Sequence, residues 1–147
     1  DAVPLGPHPH GLIAAPDHPL AGYRALSAAD LKHEIFISRE EGSGTRALMS
    51  RYLDRVGDGQ VLRLAEMGSN ETSKQSVMAG LGIAFLSLHT ATDELALGRL
   101  VLLNGPQLPI MRHWFLVSLA TRAQTSASLE VARNIDALNG NYLPKLP

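Results

Sequence analysis

The chain has 147 residues, 45% of them hydrophobic, with 13 Lys and Arg against 14 Asp and Glu; this suits one domain, or two small lobes, around a real core. A formal charge of −1 with no basic cluster excludes an electrostatic footprint for nucleic acid. The absence of cysteine excludes disulfides and thiolate metal sites, and no apolar run approaches the roughly eighteen residues of a membrane span.

The opening Val3-Pro4-Leu5-Gly6-Pro7-His8-Pro9-His10 is proline-rich and is not expected to start a helix or a central strand, and no charged-then-apolar leader is visible. Gly11 to Ala15 reads as a short apolar strand, and Pro16-Asp17-His18-Pro19-Leu20 as a rigid turn. Ser27 is placed to cap a short helix from Ala28 to Leu31, and Glu34 to Arg39 reads as a strand. That strand runs into Glu40-Glu41-Gly42-Ser43-Gly44-Thr45, where Ser43 or Thr45 starts a helix to about Val56. Leu48, Met49, Tyr52, Leu53 and Val56 recur along it at helical spacing, and Gly57 and Gly59 are expected to stop it.

Glu66 to Ser87 holds a strand, a polar turn, a helix, a glycine stop and a second strand in unbroken sequence. Leu62 to Met67 is the first strand; Ser69 and Asn70 are N-cap residues, and Glu71 puts a negative charge where the helix dipole favours one. Lys74 to Ala79 continues the helix, Gly80 or Gly82 ends it, and Ile83 to Leu86 is wholly apolar, as in a strand buried on both faces. Then come a turn of helix from His89 to Leu97, a strand near Leu100 to Leu103, and a strand from Arg112 to Leu119 expected to be the longest. A last helix runs from Ser126 to about Leu138 and ends at Asn139-Gly140. Strands alternating with helices predict an α/β fold with a largely parallel sheet.

Two strand-to-helix turns repeat one chemistry: Gly42-Ser43-Gly44-Thr45-Arg46 and Gly68-Ser69-Asn70-Glu71-Thr72. Each offers hydroxyls and free amides at a positive helix end. If their strands are parallel neighbours, both turns lie on one edge and can line a cleft for a phosphate or carboxylate. The plain alternative is that both are only helix caps. GSGTR lacks the lysine and spacing of a phosphate-binding nucleotide loop, so nucleotide hydrolysis has no support. Arg46 pairs with a ligand anion, or is a solvated helix residue, or forms an ordinary ion pair with Glu40 or Glu41. His89, after the strand Ile83 to Ser87, stands at the same edge, where it either faces the cleft or simply begins the next helix. His8-Pro9-His10 is a weak metal set without a nearby carboxylate or thiol, and His113 beside Trp114 reads as a packing or hinge residue. No serine lies in a nucleophile elbow, and Glu40-Glu41 and Asp93-Glu94 are adjacent pairs that point apart, so no catalytic set is present.

His18-Pro19-Leu20-Ala21-Gly22, then EEGSGTR from Glu40, GSNETSKQSVMAGLGIAFLS from Gly68, GRLVLL from Gly98 and LPIMRHWFLV from Leu108 resemble, in order and spacing, the C-terminal effector-binding domain of LysR-type transcriptional regulators. The SNETxKQ run is the more discriminating part, and the wording is most similar to the regulators of carbon-fixation (Calvin-cycle, RuBisCO) operons. The resemblance implies a type II periplasmic-binding-protein-like fold, two α/β lobes joined by crossing strands with a small anionic effector between them, such as a phosphorylated sugar. Residues 1–110 would be lobe II with the first crossing strand, and residues 111–147 the return strand and C-terminal helix of lobe I. The winged helix-turn-helix, its linker and the first part of lobe I would precede Asp1, so DNA would be bound only through that absent domain. The resemblance places Ser43, Gly44, Thr45, Ser69, Asn70, Glu71 and Thr72 facing the effector; Arg46 and His89 join them as candidates from the edge argument above. It implies a cytoplasmic regulator, dimeric or tetrameric at full length, without cofactor, metal, catalysis or membrane contact. A periplasmic solute-binding protein shares the fold and is the alternative.

Overall fold

Residues 1–57 and 63–147 are described in the computed structural model; the expected helix stop at Gly59 and strand start at Leu62 lie outside them. The strands are β1 (Ala2–Ala14), β2 (Ile35–Arg39), β3 (Arg63–Met67), β4 (Ile83–Ser87), β5 (Val101–Leu103) and β6 (Ile110–Val117). The helices are α1 (Ala28–Leu31), α2 (Gly44–Val56), α3 (Asn70–Met78), α4 (Thr92–Ala96) and α5 (Ser126–Leu138). The stretch expected as one helix from His89 to Leu97 is divided into a 3₁₀ turn at Leu88–Thr90 and α4.

The α/β expectation holds, but the sheet is mixed rather than largely parallel. Its order is β3-β2-β4-β1-β5, with β6 also on β1. β2 is parallel to β3 and β4, while β1 is antiparallel to β4, β5 and β6. The apolar alternation explains the layering, because successive strand side chains face opposite sides. Leu12, Ala14, Phe36, Ile83 and Phe85 meet Met49, Tyr52 and Leu53 of α2 on one face. Ile13, Ile37, Ala84 and Leu86 meet Val77 of α3 on the other. β4 is buried at all five positions, as its sequence predicts.

The loops follow their local chemistry. Ser27 and Asp30 form a reciprocal capping box on α1. Gly80, at φ +75°, takes the left-handed position after α3; Gly82 serves a different need, since a Cβ there would run into the Ile35 carbonyl oxygen.

The proline-rich opening departs from expectation. It is the first half of β1, at thirteen residues the longest strand in place of the one expected near Arg112. Antiparallel neighbours exchange both backbone bonds or neither in alternation, and proline fits the second class without loss. Pro4, Pro7 and Pro9 oppose Phe115, His113 and Met111, alternate residues of β6, because the register shifts between Pro4 and Gly6. One class of position thus accommodates all three. The arm of β1 and β6 is overlain by α5, which has no buried residue, and a cavity of about 340 Å³ lies between them, lined by Val3, Leu5, Leu116, Ala132, Ile135 and Tyr142 among others.

Candidate functional site

Parallel pairing of β2 with β3, in the register Ser38↔Glu66 and Arg39↔Met67, brings the two polar turns to one edge. β4, parallel to β2, delivers Ser87 and His89 to that edge. β1 runs the opposite way and leaves the sheet there, carrying His8 and His10.

The turns differ in detail. Ser43 occupies the N-cap of α2, but its side chain makes no capping bond. Glu40 accepts from the Ser43 amide through its backbone carbonyl, and Gly42 bends the chain at φ +86°. Gly44 and Thr45 open the helix with first-turn amides that have no intrahelical acceptor. A shallow hollow runs over Gly42, Ser43, Gly44, Ala47 and Ser50. At the second turn, Ser69 is a working cap: its Oγ accepts from the Thr72 amide at 3.0 Å and lies 2.9 Å from the Thr72 hydroxyl. Asn70 is the first helical residue rather than a cap, and its Oδ1 accepts from Arg39 Nη1 at 2.5 Å.

The charged candidates are engaged within the protein. Arg46 neither stands free nor pairs with Glu40; its Nη1 donates to Glu66 at 2.5 Å and to the Arg39 carbonyl at 3.2 Å, with Glu41 a more distant 3.8 Å away. Glu71 accepts from Gln75 at 2.9 Å and pairs with Lys74 at 3.0 Å, and these contacts hold its carboxyl below its ordinary range. Lys74 reaches across to Glu94 at 2.7 Å; burial works against its charge, but the two carboxylates raise its pKa overall.

Arg39 was not singled out by the sequence, yet it ties the turns together. Its Nε and Nη2 donate to the two Glu40 carboxylate oxygens at 2.7 Å while Nη1 holds Asn70. The guanidinium pulls the Glu40 carboxyl down to about 2. A cation at the last residue of a strand, just before a polar turn, was the available signal.

The third part of the edge is aromatic. His89 Nδ1 accepts from the Trp114 indole at 3.2 Å, and the His8 ring stacks on Trp114 with centroids 3.9 Å apart. His8 Nε2 lies 2.7 Å from Ser87 Oγ, and His10 Nδ1 donates to the His8 carbonyl at 3.2 Å. The sequence offers His8-Pro9-His10 as a weak metal set and His113, not Trp114, as a packing or hinge residue; the partners that join His8, His89 and Trp114 lie many residues apart in the chain. Among the described residues, no group of three or more His, Asp or Glu side chains has metal-holding geometry.

The LysR substrate binding domain model matches residues 1–138. The HTH-type transcriptional regulator CbbR of Cereibacter sphaeroides is 60% identical over 146 residues, which cover 99% of this chain and 47% of that protein. The RuBisCO operon transcriptional regulator of Allochromatium vinosum is 49% identical over 111 residues, 75% of this chain and 36% of that protein. The chain thus spans about half the length, or less, of these relatives. Among solved structures, the regulatory domain of CcmR from Synechocystis PCC6803 in complex with 2-PG superposes with a TM-score of 0.86 at 34% identity, covering 97% of this chain and 68% of that one. The effector binding domain of QuiR in complex with shikimate, 18% identical with a TM-score of 0.76 over 97% of this chain and 66% of that one, shares the fold.

Proposed function

The chain belongs to the LysR substrate binding domain family, as an effector-binding domain similar to those of RuBisCO operon regulators, and on that premise we propose that it senses a small anionic metabolite at the edge where β2, β3 and β4 end. The observation that carries this reading is the contrast at α2: a helix start whose serine caps nothing and whose first-turn amides have no acceptor within the helix, beside a hollow open to solvent. The likeness to a domain that holds 2-PG supports an anion of that kind, and a phosphorylated sugar suits the same donors.

Because Arg46 and Glu71 are engaged in ion pairs, this reading puts the ligand on the Ser43, Gly44 and Thr45 donors, with Ser69, Asn70, Thr72 and His89 along the same rim. Residues 1–110 form lobe II with the first crossing strand, and residues 111–147 the return strand and helix of lobe I. The exposed apolar side chains of the arm and of α5, among them Met111, Phe115, Val117 and Leu129, meet the rest of lobe I in the longer protein. That protein works as a cytoplasmic dimer or tetramer, binds DNA through a separate N-terminal domain, controls carbon-fixation genes and catalyses nothing. Among the described residues, no helix is long and apolar enough to cross a membrane.

Titration calorimetry of the full-length protein with 2-PG and with a sugar bisphosphate tests the reading. Binding is expected for the unaltered protein, and about a tenfold or greater loss for a Ser43→Ala, Thr45→Val variant, as for removal of hydrogen bonds to a charged group. Equal affinity in that variant would return the turn to plain helix initiation.

A further inference from the structure

We propose that His8, His10 and His89 form a proton-taking wall of this anion site, so that effector binding draws a proton from solvent onto the cluster and the charged imidazole then donates to the ligand. The inference rests on the effector reading above and adds its regulation by pH.

The geometry sets the protonation pattern. A carbonyl oxygen only accepts, so the neutral His10 ring carries its proton on Nδ1, against the His8 carbonyl. An indole N–H only donates, so His89 Nδ1 is bare and the ring proton sits on Nε2. His8 shares Nε2 with the Ser87 hydroxyl. The His8 ring centroid lies 4.3 Å from that of His10 and 5.5 Å from that of His89. Each ring therefore has one nitrogen committed and one left to gain a proton or face a ligand.

Among the described residues, the charged groups that act on His8 are all cationic when charged. His8 meets His10 on its own strand, Arg112 directly opposite on β6, and His89 after β4; Trp114 covers its face. His113, one residue along β6, opposes Pro7, and its ring lies tilted beside Phe115. The one histidine–carboxylate pair among the described residues is His18–Glu34, elsewhere in the fold. Without a bound anion, a first protonation thus meets imidazoles and a guanidinium, with no carboxylate partner among the described residues. Burial, followed by His10, His89 and Arg112, pushes His8 down to about 4. Burial likewise lowers His89, and lowers His10 against the opposing pull of its bond to the His8 carbonyl. Each of these shifts favours the neutral ring when no anion is bound.

A bound oxyanion reverses the balance. An opposite charge within a few ångströms raises an imidazole pKa by about 1–3 units. Between the free and bound values, one proton is taken up per ligand, and affinity falls by up to about tenfold per unit as pH rises. Nothing else is exchanged: the proton comes from solvent to a ring nitrogen.

The test is calorimetry of the full-length protein with 2-PG at pH 6 and pH 8, in paired buffers of different ionisation heat, for the unaltered protein and for His8→Gln. The ligand phosphate contributes its own proton, with a second pKa near about 6, equally to both proteins, so their difference isolates the cluster. Proton uptake at pH 6 that exceeds the variant's, and vanishes at pH 8, is expected. As a measurement that needs no variant, the NMR titration midpoint of His8 should rise by about one unit or more when 2-PG saturates the protein. Binding with equal proton counts in both proteins, or an unmoved His8 midpoint, would overturn the proton linkage alone. No binding of 2-PG or of a sugar bisphosphate at either pH would overturn the effector reading with it.

Discussion

Gly42–Arg46 and Gly68–Thr72 leave neighbouring parallel strands through nearly the same residues, yet Ser69 closes its helix and Ser43 leaves its own open. Helix α3 gains from its cap, from Asn70 held by Arg39 and from Glu71 against Lys74. Helix α2 has no capping side chain at its first turn, where Arg46 reaches Glu66 and the Arg39 carbonyl, and it is held by Met49, Tyr52 and Leu53 in the core. A helix end that forgoes a cap worth about 1 kcal/mol retains donors for something else. The second turn of the pair is a fixed support; the first is the open position.

The largest expected effect comes from removing what holds the open helix. Met49→Ala should destabilise the protein by about 2–4 kcal/mol in denaturant unfolding, because a buried side chain is lost from a packed face. A loss below about 1 kcal/mol would mean that α2 is anchored elsewhere. The direct comparison of the turns is smaller. Ser69→Ala should cost about 1 kcal/mol, whereas Ser43→Ala should stay within about 0.5 kcal/mol of the unaltered protein. Equal costs would erase the distinction between capped and open turns.

The smallest effect is a titration. The Glu40 carboxyl should titrate near about 2 rather than 4.5, and Arg39→Ala should return it toward the ordinary value, as carboxylate NMR would show. The sign follows from the lowered pKa. Any stabilisation from the Arg39–Glu40 pair is complete above the ordinary carboxylate value and fades as pH falls from there toward 2.

Much of this was legible in the sequence because it was local. The Ser69 cap, the Ser27 box, the stripe of α2 and the unbroken apolar run of β4 each follow from residues within a few positions of one another. What escaped was settled across the chain. Arg46 prefers Glu66 to its neighbours Glu40 and Glu41 because β3 places Glu66 beside it, and Arg39 already holds Glu40 from the adjacent position. The histidine cluster unites β1, β4 and β6, whose order no local pattern encodes. The opening strand was hidden by its prolines, since their fit depends on a partner strand and a register shift.

Those prolines also bear on solubility. Among the described residues the first half of β1 pairs with β6 alone, and a strand edge without a partner is a template on which another chain can add a strand. At Pro4, Pro7 and Pro9 that edge carries no amide hydrogens, so a foreign strand would find acceptors there without matching donors. The arm can therefore project from the sheet, with many apolar side chains on its surface, and still refuse strand-by-strand growth into aggregates.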